Sequence, residues 1–184
     1  MVAKPKIRDA DDRRSVALVG LMGTGKTTVG RKLAAQLALP FVDADEEIEG
    51  AAGMKISEIF GRLGEPAFRD GERRVLLRLI GEGPSVISTG GGAFVDPQTR
   101  AALLEQAVVI WLDADIETLV ERVSRRSHRP LLADRDPETV LRELAEVRGP
   151  LYAEAHFRID SSSGPAHQTV DEIMKTLSEA GALC

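Results

Sequence analysis

The sequence predicts an α/β protein, with a three-layer α/β/α fold and a central five-stranded parallel sheet. Short apolar segments typical of buried strands alternate with longer segments of helical periodicity, and the connections between them are short. A glycine-rich stretch separates the first of these strands from the first helix. At 184 residues, 43% of them hydrophobic, the chain suffices for one well-buried domain and is short for two.

The first half of the chain predicts two strands separated by a helix, and then a helical region. Residues 16–19, Val-Ala-Leu-Val, form a continuous apolar run, which is typical of a strand buried on both faces. Residues 26–38 are rich in helix formers, and the apolar segment 41–43 follows as a second strand. Three helical stretches come next, at 45–52, 56–60 and 66–80, and Pro66 suits the first turn of the last one.

The second half continues the alternation of strands and helices. Residues 86–88 are predicted as a third strand, and Asp96-Pro97 begins a helix that extends to about residue 104. The run 108–112 is the most strand-like in the chain, and Asp115 begins the next helix, which ends near residue 126. After a polar loop at about 127–136, the remaining predictions are helices at 137–147 and 150–154, a strand at 157–160, and a helix from about 165 to 180.

Composition and charge disfavour several classes of protein. No apolar window is long enough to cross a bilayer and the N-terminus lacks a hydrophobic signal core, so we expect a cytoplasmic protein without a membrane partner. We expect residues 1–14 to form a charged tail and residues 15–184 to form one domain, monomeric by default. The net charge of −5 disfavours a nucleic-acid partner. Neither a disulfide nor a transition-metal site is predicted from Cys184, His128, His156 and His167.

The glycine-rich stretch is a phosphate-binding loop. Residues 20–27, Gly-Leu-Met-Gly-Thr-Gly-Lys-Thr, fit the pattern G-x-x-x-x-G-K-[ST] directly after an apolar strand. The glycines let backbone N–H groups turn toward a phosphate, and the following helix adds the positive end of its dipole. Lys26 supplies charge to the β- and γ-phosphates, and the Thr27 hydroxyl suits the magnesium of MgATP. The predicted ATP-binding residues here are Gly23, Thr24, Gly25, Lys26, Thr27 and Thr28.

Two acids follow the second predicted strand. Asp43 and Asp45 lie at its carboxyl end, which in a parallel sheet faces the same crevice as the phosphate loop. One carboxylate beside magnesium and one beside a substrate hydroxyl would orient or deprotonate an alcohol nucleophile. The alternative is helix capping, with Asp45 as N-cap and Glu46 and Glu47 against the helix dipole. The residues alone leave both interpretations open.

Further residues are candidates for binding an anion. The turn 90–92 consists of three glycines and follows the third strand, where unhindered N–H groups could approach a ligand, although a plain flexible turn is the alternative. A helix could bring Phe68, Arg69 and Glu72 into the crevice, or Arg69 could simply pair with Glu72 on the surface. Four arginines lie within eight residues and favour either an anion site or a solvated helix end: Arg122, Arg125, Arg126 and Arg129.

Taken together, these motifs resemble the shikimate kinase family across nearly the whole domain. The resemblance is more specific than the phosphate loop, because it includes Gly-Glu-Pro-Ala-Phe-Arg-Asp-Gly-Glu, Ser-Thr-Gly-Gly-Gly-Ala and Arg-Gly-Pro-Leu-Tyr in the family's order. The matching segments are 20–30, 41–49, 56–60, 64–72, 88–93, 129–132 and 148–152.

The resemblance implies a P-loop kinase architecture with a substrate-binding segment at about 43–72 and a lid at about 124–136. It implies transfer of the γ-phosphoryl group of ATP, with Mg²⁺ as cofactor, to the 3-hydroxyl of shikimate, a step toward chorismate and the aromatic amino acids. Shikimate is a small carboxylate with three hydroxyls, and planar guanidinium groups suit a carboxylate. The matching substrate-binding positions are Arg69, Arg148, Gly91 and Gly92.

The resemblance also implies roles for the acids and for the nucleotide side. Asp45 would bind the substrate hydroxyls and take a proton, while Asp43 would lie near the magnesium bound by Thr27 and act through water. Lys26 and Arg129 would neutralise charge as the phosphoryl group moves, with Arg129 supplied by the lid. Arg122 and the loop 161–165 match positions that flank adenine.

Other functions are retained as alternatives. Asp113 ends an apolar strand as a metal-binding acid would, but the resemblance assigns the metal to Asp43, so we interpret Asp113 as a loop residue. A different P-loop small-molecule kinase, such as a gluconate-like kinase, and a non-catalytic nucleotide-binding module remain as alternatives. A GTP-dependent switch is disfavoured because the chain contains no asparagine and therefore no Asn-Lys-x-Asp guanine-binding motif.

Overall fold

Five parallel strands form one sheet in the computed structural model, which describes residues 14–125 and 135–182. The strands are β1 (Ser15–Val19), β2 (Phe41–Asp43), β3 (Val86–Ser88), β4 (Ala107–Asp113) and β5 (Phe157–Asp160). Their order across the sheet is β2-β3-β1-β4-β5, and every neighbouring pair is parallel. The predicted five-stranded parallel sheet is therefore confirmed, with strands that end within one residue of their predicted limits.

Helices cover both faces of this sheet, and in the described part of the chain they are seven. They are α1 (Lys26–Leu37), α2 (Ala44–Ala52), α3 (Ile56–Gly81), α4 (Pro97–Gln106), α5 (Ile116–Ser124), α6 (Pro137–Tyr152) and α7 (Ala166–Glu179). A 3₁₀ turn at Ala93–Val95, which the sequence analysis did not predict, joins β3 to α4. Among the residues described, no helix combines the length and the apolar character that crossing a membrane would require.

Alternating residues of β1 contribute to two separate hydrophobic cores. Val16 and Leu18 pack in one core with buried residues of α1 and α7, such as Leu33 and Ile173. Ala17 and Val19 face the other core, which includes buried residues of α3 to α6. Both faces of the strand are buried, which explains its continuous apolar sequence and confirms the three-layer arrangement.

The long helix α3 is two helices joined at a kink. Gly64 has a φ of 82°, in the left-handed region, and interrupts the helical backbone there. Pro66 follows in the first turn of the second part, where a missing N–H breaks no helical hydrogen bond. The predicted helices 56–60 and 66–80 therefore correspond to the two parts.

The end of α6 differs from the prediction. The sequence predicts separate helices at 137–147 and 150–154. In the structure one helix continues through Pro150 to Tyr152. The hydroxyl of Tyr152 and the guanidinium of Arg148 both donate to the carbonyl of Gly91, so a tertiary contact holds the last turn in place.

Candidate active site

The phosphate loop lies at the carboxyl end of β1 and depends on its glycines. Gly20 has a φ of 140°, and a Cβ there would lie 2.3 Å from the Leu112 carbonyl oxygen, so no other residue fits without moving β4. Helix α1 begins directly after the loop, without a side-chain cap or an acidic residue in its first turn. Its first N–H groups are thus suited to an anion rather than to a protein carboxylate.

Lys26 lies across the loop. Its Nζ donates to the carbonyl oxygens of Gly20 and Leu21, each at 2.9 Å. The Thr24 hydroxyl also donates to the Leu21 carbonyl, at 2.9 Å. These contacts keep the loop curled and hold an ammonium group beside the N-terminus of α1, the position that a nucleotide phosphate would require.

A cavity of about 350 Å³ extends from the loop toward the end of β5. Arg122, on α5, closes one side and donates to the carbonyls of Ser161 at 2.8 Å and Ser162 at 3.3 Å. The Ser161 hydroxyl in turn donates to the Asp113 carbonyl at 2.9 Å. The described residues that line the cavity include Gly23, Thr24, Gly25, Thr27, Thr28, Arg122, Arg125, Ser161 and Gly164.

Three oxygen-bearing side chains meet at the ends of β2 and β3 beside this cavity. The Thr27 hydroxyl donates to Asp43 Oδ2 at 2.9 Å and lies 3.5 Å from the Ser88 hydroxyl. Hydroxyl and carboxylate oxygens are the ligands that Mg²⁺ prefers. The Thr27 hydroxyl oxygen could bind a cation through a lone pair while its O–H still donates a hydrogen bond to Asp43. This pair therefore fits a magnesium site adjoining the phosphate loop.

The structure also corrects the capping alternative for the two acids. Asp43, not Asp45, is the N-cap of α2, because Asp43 Oδ1 accepts a hydrogen bond from the Asp45 N–H at 3.1 Å. Asp43 thus uses one carboxylate oxygen for the helix and the other for Thr27. Asp45 lies in the first turn of α2, and its side chain lies near the glycine turn.

Two arginines meet at the glycine turn after β3. Arg148, on α6, donates to the Gly91 carbonyl at 2.8 Å. A Cβ on Gly92 would lie 2.6 Å from Arg69 Nη1, so only glycine allows the guanidinium to lie this close to the backbone. A Cβ on Gly91 would lie 3.6 Å from the Gly20 carbonyl oxygen, which shows that the turn adjoins the phosphate loop. The two guanidinium groups and the loop therefore border one crevice.

Two carboxylates complete the same region. A Cβ on Gly90 would lie 2.8 Å from Glu72 Oε1 and 2.9 Å from Asp45 Oδ1, so both acids face this peptide. Glu72 is only 2% exposed and pairs with Arg69 Nη1 at 2.6 Å. Its Oε1 is a buried side-chain atom without a hydrogen-bond partner in the described part of the protein. An acceptor with several hydroxyls would supply donors for such oxygens.

The electrostatics of this network follow from burial and pairing. Burial raises the pKa of Glu72, and nearby Asp45 adds to the increase, while Arg69 opposes it. Burial by itself would lower the pKa of Arg69, but its contacts with Glu72 and Glu65 raise it above the ordinary value. Arg69 is thus held as a cation between two acids, with one edge of its guanidinium toward the glycine turn.

Two residues of the site were not predicted in these positions. Glu72 was considered either as a residue that the helix brings into the crevice or as a surface partner for Arg69, but its burial between Arg69 and the glycine turn was not predicted. Tyr152 was part of a quoted motif without a role, yet its hydroxyl donates to Gly91. The i,i+4 spacing of Arg148 and Tyr152 on one helix was the available signal, since such residues share a face.

The remaining predicted residues lie apart from this site or outside the described part of the chain. Arg129 and most of the predicted lid lie outside the described residues. Asp113 is the last residue of β4 and pairs with Asp160 in the sheet, so its interpretation as a loop residue was wrong; its carboxylate binds Arg158 at 2.6 Å and accepts from the Ala114 N–H at 3.0 Å. In the described ranges, no cluster of three or more His, Cys, Asp or Glu side chains could hold a metal ion.

Comparisons with known proteins identify relatives over most of the chain. The family model for shikimate kinase matches residues 22–178. A shikimate kinase of Caulobacter vibrioides is 56% identical over 169 residues, which cover 92% of this chain and 84% of that protein. A shikimate kinase of Novosphingobium aromaticivorans is 54% identical over 170 residues, covering 90% of this chain and 88% of the relative.

Solved structures show the same likeness. The shikimate kinase from Acinetobacter baumannii in complex with shikimate has a TM-score of 0.87 and 39% identity, covering 91% of this chain and 94% of that one. A gluconokinase from Sinorhizobium meliloti 1021 has a TM-score of 0.61 at 18% identity, covering 92% of this chain and 94% of that one. The second likeness concerns the fold alone.

Proposed function

The chain belongs to the shikimate kinase family, and on that premise we propose which of its residues bind each substrate and transfer the phosphoryl group. Its activity is that family's: the γ-phosphoryl group of ATP passes to the 3-hydroxyl of shikimate, giving shikimate 3-phosphate and ADP on the route to chorismate and the aromatic amino acids. The family predicted from the motifs is thereby confirmed.

The donor nucleotide is proposed to bind at the phosphate loop. The N–H groups of residues 23–28 and Lys26 Nζ would hold the β- and γ-phosphates, and Arg122 would border the adenine with the loop after β5. Thr27 would bind Mg²⁺ directly and Asp43 would bind it through water, because their oxygens already lie 2.9 Å apart beside the loop. Bound Mg²⁺ would neutralise the charge of the phosphates.

The acceptor is proposed to bind at the glycine turn. Arg69 and Arg148 would bind the carboxylate of shikimate through paired N–H donors, with help from the backbone N–H groups of Gly91 and Gly92. Glu72 would hold the Arg69 guanidinium in the plane that this contact requires. The convergence of two guanidinium groups on a glycine turn that adjoins the phosphate loop is the observation on which this assignment depends.

Beyond this placement of the substrates, the phosphoryl transfer is proposed to require a proton acceptor and groups that stabilise negative charge. As the 3-hydroxyl oxygen forms its bond to the γ-phosphorus, its proton passes to Asp45 and the bond from phosphorus to the bridging oxygen of ADP breaks. Lys26 would stabilise the charge on the transferred group, and Arg129 is proposed to join it from the segment outside the described residues. The segment 43–72, which contains α2 and the start of the second part of α3, would be the substrate-binding part of a single domain.

A direct test measures ADP release from MgATP with shikimate, quinate, gluconate and nucleoside monophosphates offered in parallel. We expect shikimate to stimulate release well above the others, because only a carboxylate with this arrangement of hydroxyls satisfies both arginines and both acids. Magnesium is then titrated against Thr27→Val, which keeps the side-chain shape and removes the hydroxyl. An unchanged magnesium requirement in that variant would contradict the metal assignment.

A further inference from the structure

We propose that Tyr152 is a positioning residue for the acceptor: its hydroxyl keeps the Gly91 peptide in place and so allows Arg148 to turn toward the acceptor's carboxylate. The inference rests on the proposed function, since it requires that Arg148 bind this carboxylate. It adds to that function a residue that contacts neither the acceptor nor the nucleotide in the proposed arrangement.

The Gly91 carbonyl has two donors, both on the last turns of α6. Arg148 donates from Nη1 at 2.8 Å, and the Tyr152 hydroxyl donates to the same oxygen. The two residues are four apart, so their side chains leave the helix on one face. A single peptide oxygen thus links the glycine turn to the helix that contains a carboxylate-binding arginine.

The direction of the Tyr152 hydroxyl is set by packing. The residue is 1% exposed, and its ring lies between Phe94, with centroids 6.3 Å apart, and Trp111, at 5.9 Å. Burial raises the pKa of the phenol, while the nearby Arg148 guanidinium opposes the increase, so the hydroxyl stays protonated and donates to the Gly91 carbonyl. The hydroxyl of Tyr152 is therefore a fixed donor, whereas Arg148 has a long chain and several N–H groups.

This difference between the two donors has a consequence for binding. When Arg148 directs its N–H groups to a bound carboxylate, its bond to the Gly91 carbonyl weakens or is lost. The Gly91 carbonyl is partly buried, so leaving it without a donor is costly, and that cost would be subtracted from the affinity for the acceptor. Tyr152 keeps the carbonyl paired, so Arg148 can turn without this cost.

The first experiment compares Tyr152→Phe with the unchanged chain. Phenylalanine keeps the ring between its neighbours and removes only the hydroxyl. We expect the KM for shikimate to rise about five- to tenfold, the effect of one lost hydrogen bond, while the KM for ATP stays the same. An equal rise in both KM values, or no rise for shikimate, would overturn the proposal.

A matched control removes a similar bond elsewhere. Ser15 is also buried, and its hydroxyl donates to the Gly83 carbonyl at 3.0 Å, at the opposite end of the sheet. Ser15→Ala should lower the thermal unfolding temperature somewhat and leave both KM values unchanged. If it raised the KM for shikimate as much as Tyr152→Phe does, the effect of Tyr152 would reflect general destabilisation, and the proposal would fail.

A double-mutant cycle with Arg148→Ala separates this proposal from the proposed function. If the two residues act together, Tyr152→Phe should add little to the KM for shikimate once Arg148 is absent. If Arg148→Ala itself leaves this KM unchanged, the carboxylate assignment fails and the role of Tyr152 fails with it. If Arg148→Ala raises the KM and Tyr152→Phe raises it by the same factor in both backgrounds, only the coupling proposed for Tyr152 is overturned.

A second measurement does not depend on any Arg148 variant. The unchanged chain and Tyr152→Phe are compared on shikimate and on its uncharged methyl ester. The rise in KM caused by Tyr152→Phe should occur with shikimate and not with its methyl ester, because the ester offers Arg148 no carboxylate. An equal penalty on both compounds would contradict the proposal.

Discussion

The donor and acceptor sides of the crevice are built in different ways. The phosphate-binding part of the donor side is one continuous loop, residues 20–27, which holds its shape through backbone conformation and short-range contacts such as Lys26 to Gly20. The acceptor side brings together residues from α2, α3, the turn after β3, and α6. A local motif thus forms one half of the site, and long-range packing assembles the other half. Substitutions should therefore separate the two sides cleanly.

The largest effect is expected on the donor side, from Lys26→Met. Methionine keeps the length of the side chain but removes the charge that stabilises the transferred phosphoryl group. We expect kcat to fall by about 10²- to 10³-fold or more, with far-ultraviolet circular dichroism unchanged. Normal turnover by a folded variant would remove Lys26 from the mechanism.

The next effect should fall on the acceptor side alone. Arg69→Ala removes a planar donor and leaves Glu72 as a buried acid without its partner. We expect the KM for shikimate to rise by about 10- to 100-fold, as for other charge-assisted contacts, with a much smaller change in the KM for ATP. Equal increases for both substrates, measured in initial-rate kinetics, would mean that the two sides are not separate.

A more conservative substitution tests the same comparison, because it weakens one interaction on the acceptor side without removing a side chain. Glu72→Gln keeps the shape of the side chain and removes the charge that holds Arg69. We expect about a tenfold loss in kcat/KM for shikimate, the size of one weakened charged hydrogen bond. Because burial raises the pKa of Glu72, the kcat/KM of the wild-type protein for shikimate should decline as the pH falls and this acid takes a proton. The glutamine variant should lack that component of the pH profile.

The smallest effect should concern stability and leave substrate binding on both sides of the crevice unchanged. His156 accepts a hydrogen bond from the Val109 N–H at 2.9 Å, far from the crevice at the edge of the sheet, and burial lowers its pKa below the ordinary 6.5. As the pH falls below that ordinary value, the unfolded chain takes a proton at this residue before the folded chain does. The free energy of unfolding should then decrease by up to about 1.4 kcal/mol per pH unit from this group.

Thermal unfolding between pH 7 and pH 5 tests this expectation. His156→Gln, which cannot take a proton, should show a shallower decline than the unchanged chain. This variant should keep its KM values at neutral pH. A decline that His156→Gln leaves unaltered would exclude this histidine as its source.

Local interactions explain which parts of the fold were predictable. The run Val16 to Val19 is apolar because both faces of β1 are buried, so the strand could be recognised without knowing its neighbours. Gly64 and Pro66 act on their own backbone, and the break between the two parts of α3 was therefore predicted. The phosphate loop was recognised for the same reason, because eight consecutive residues contain the whole pattern.

Contacts between distant residues explain what was missed. The break predicted near Pro150 was wrong: one helix continues to Tyr152, and its residues Arg148 and Tyr152 bind Gly91, about sixty residues earlier in the chain. Asp45 was the N-cap suggested for α2, but Asp43 takes that position and also binds Thr27 of α1. In both regions a contact with another element accompanies the feature that was not predicted.

The sequence by itself determined the strands, the phosphate loop and the family, because each depends on residue types in consecutive or regularly spaced positions. Only the tertiary structure decided that Glu72 is a buried partner of Arg69 rather than a surface acid, and that Tyr152 supports the glycine turn. Burial and hydrogen-bond partners across the sheet depend on how the helices pack, and a spacing along the chain does not contain that information.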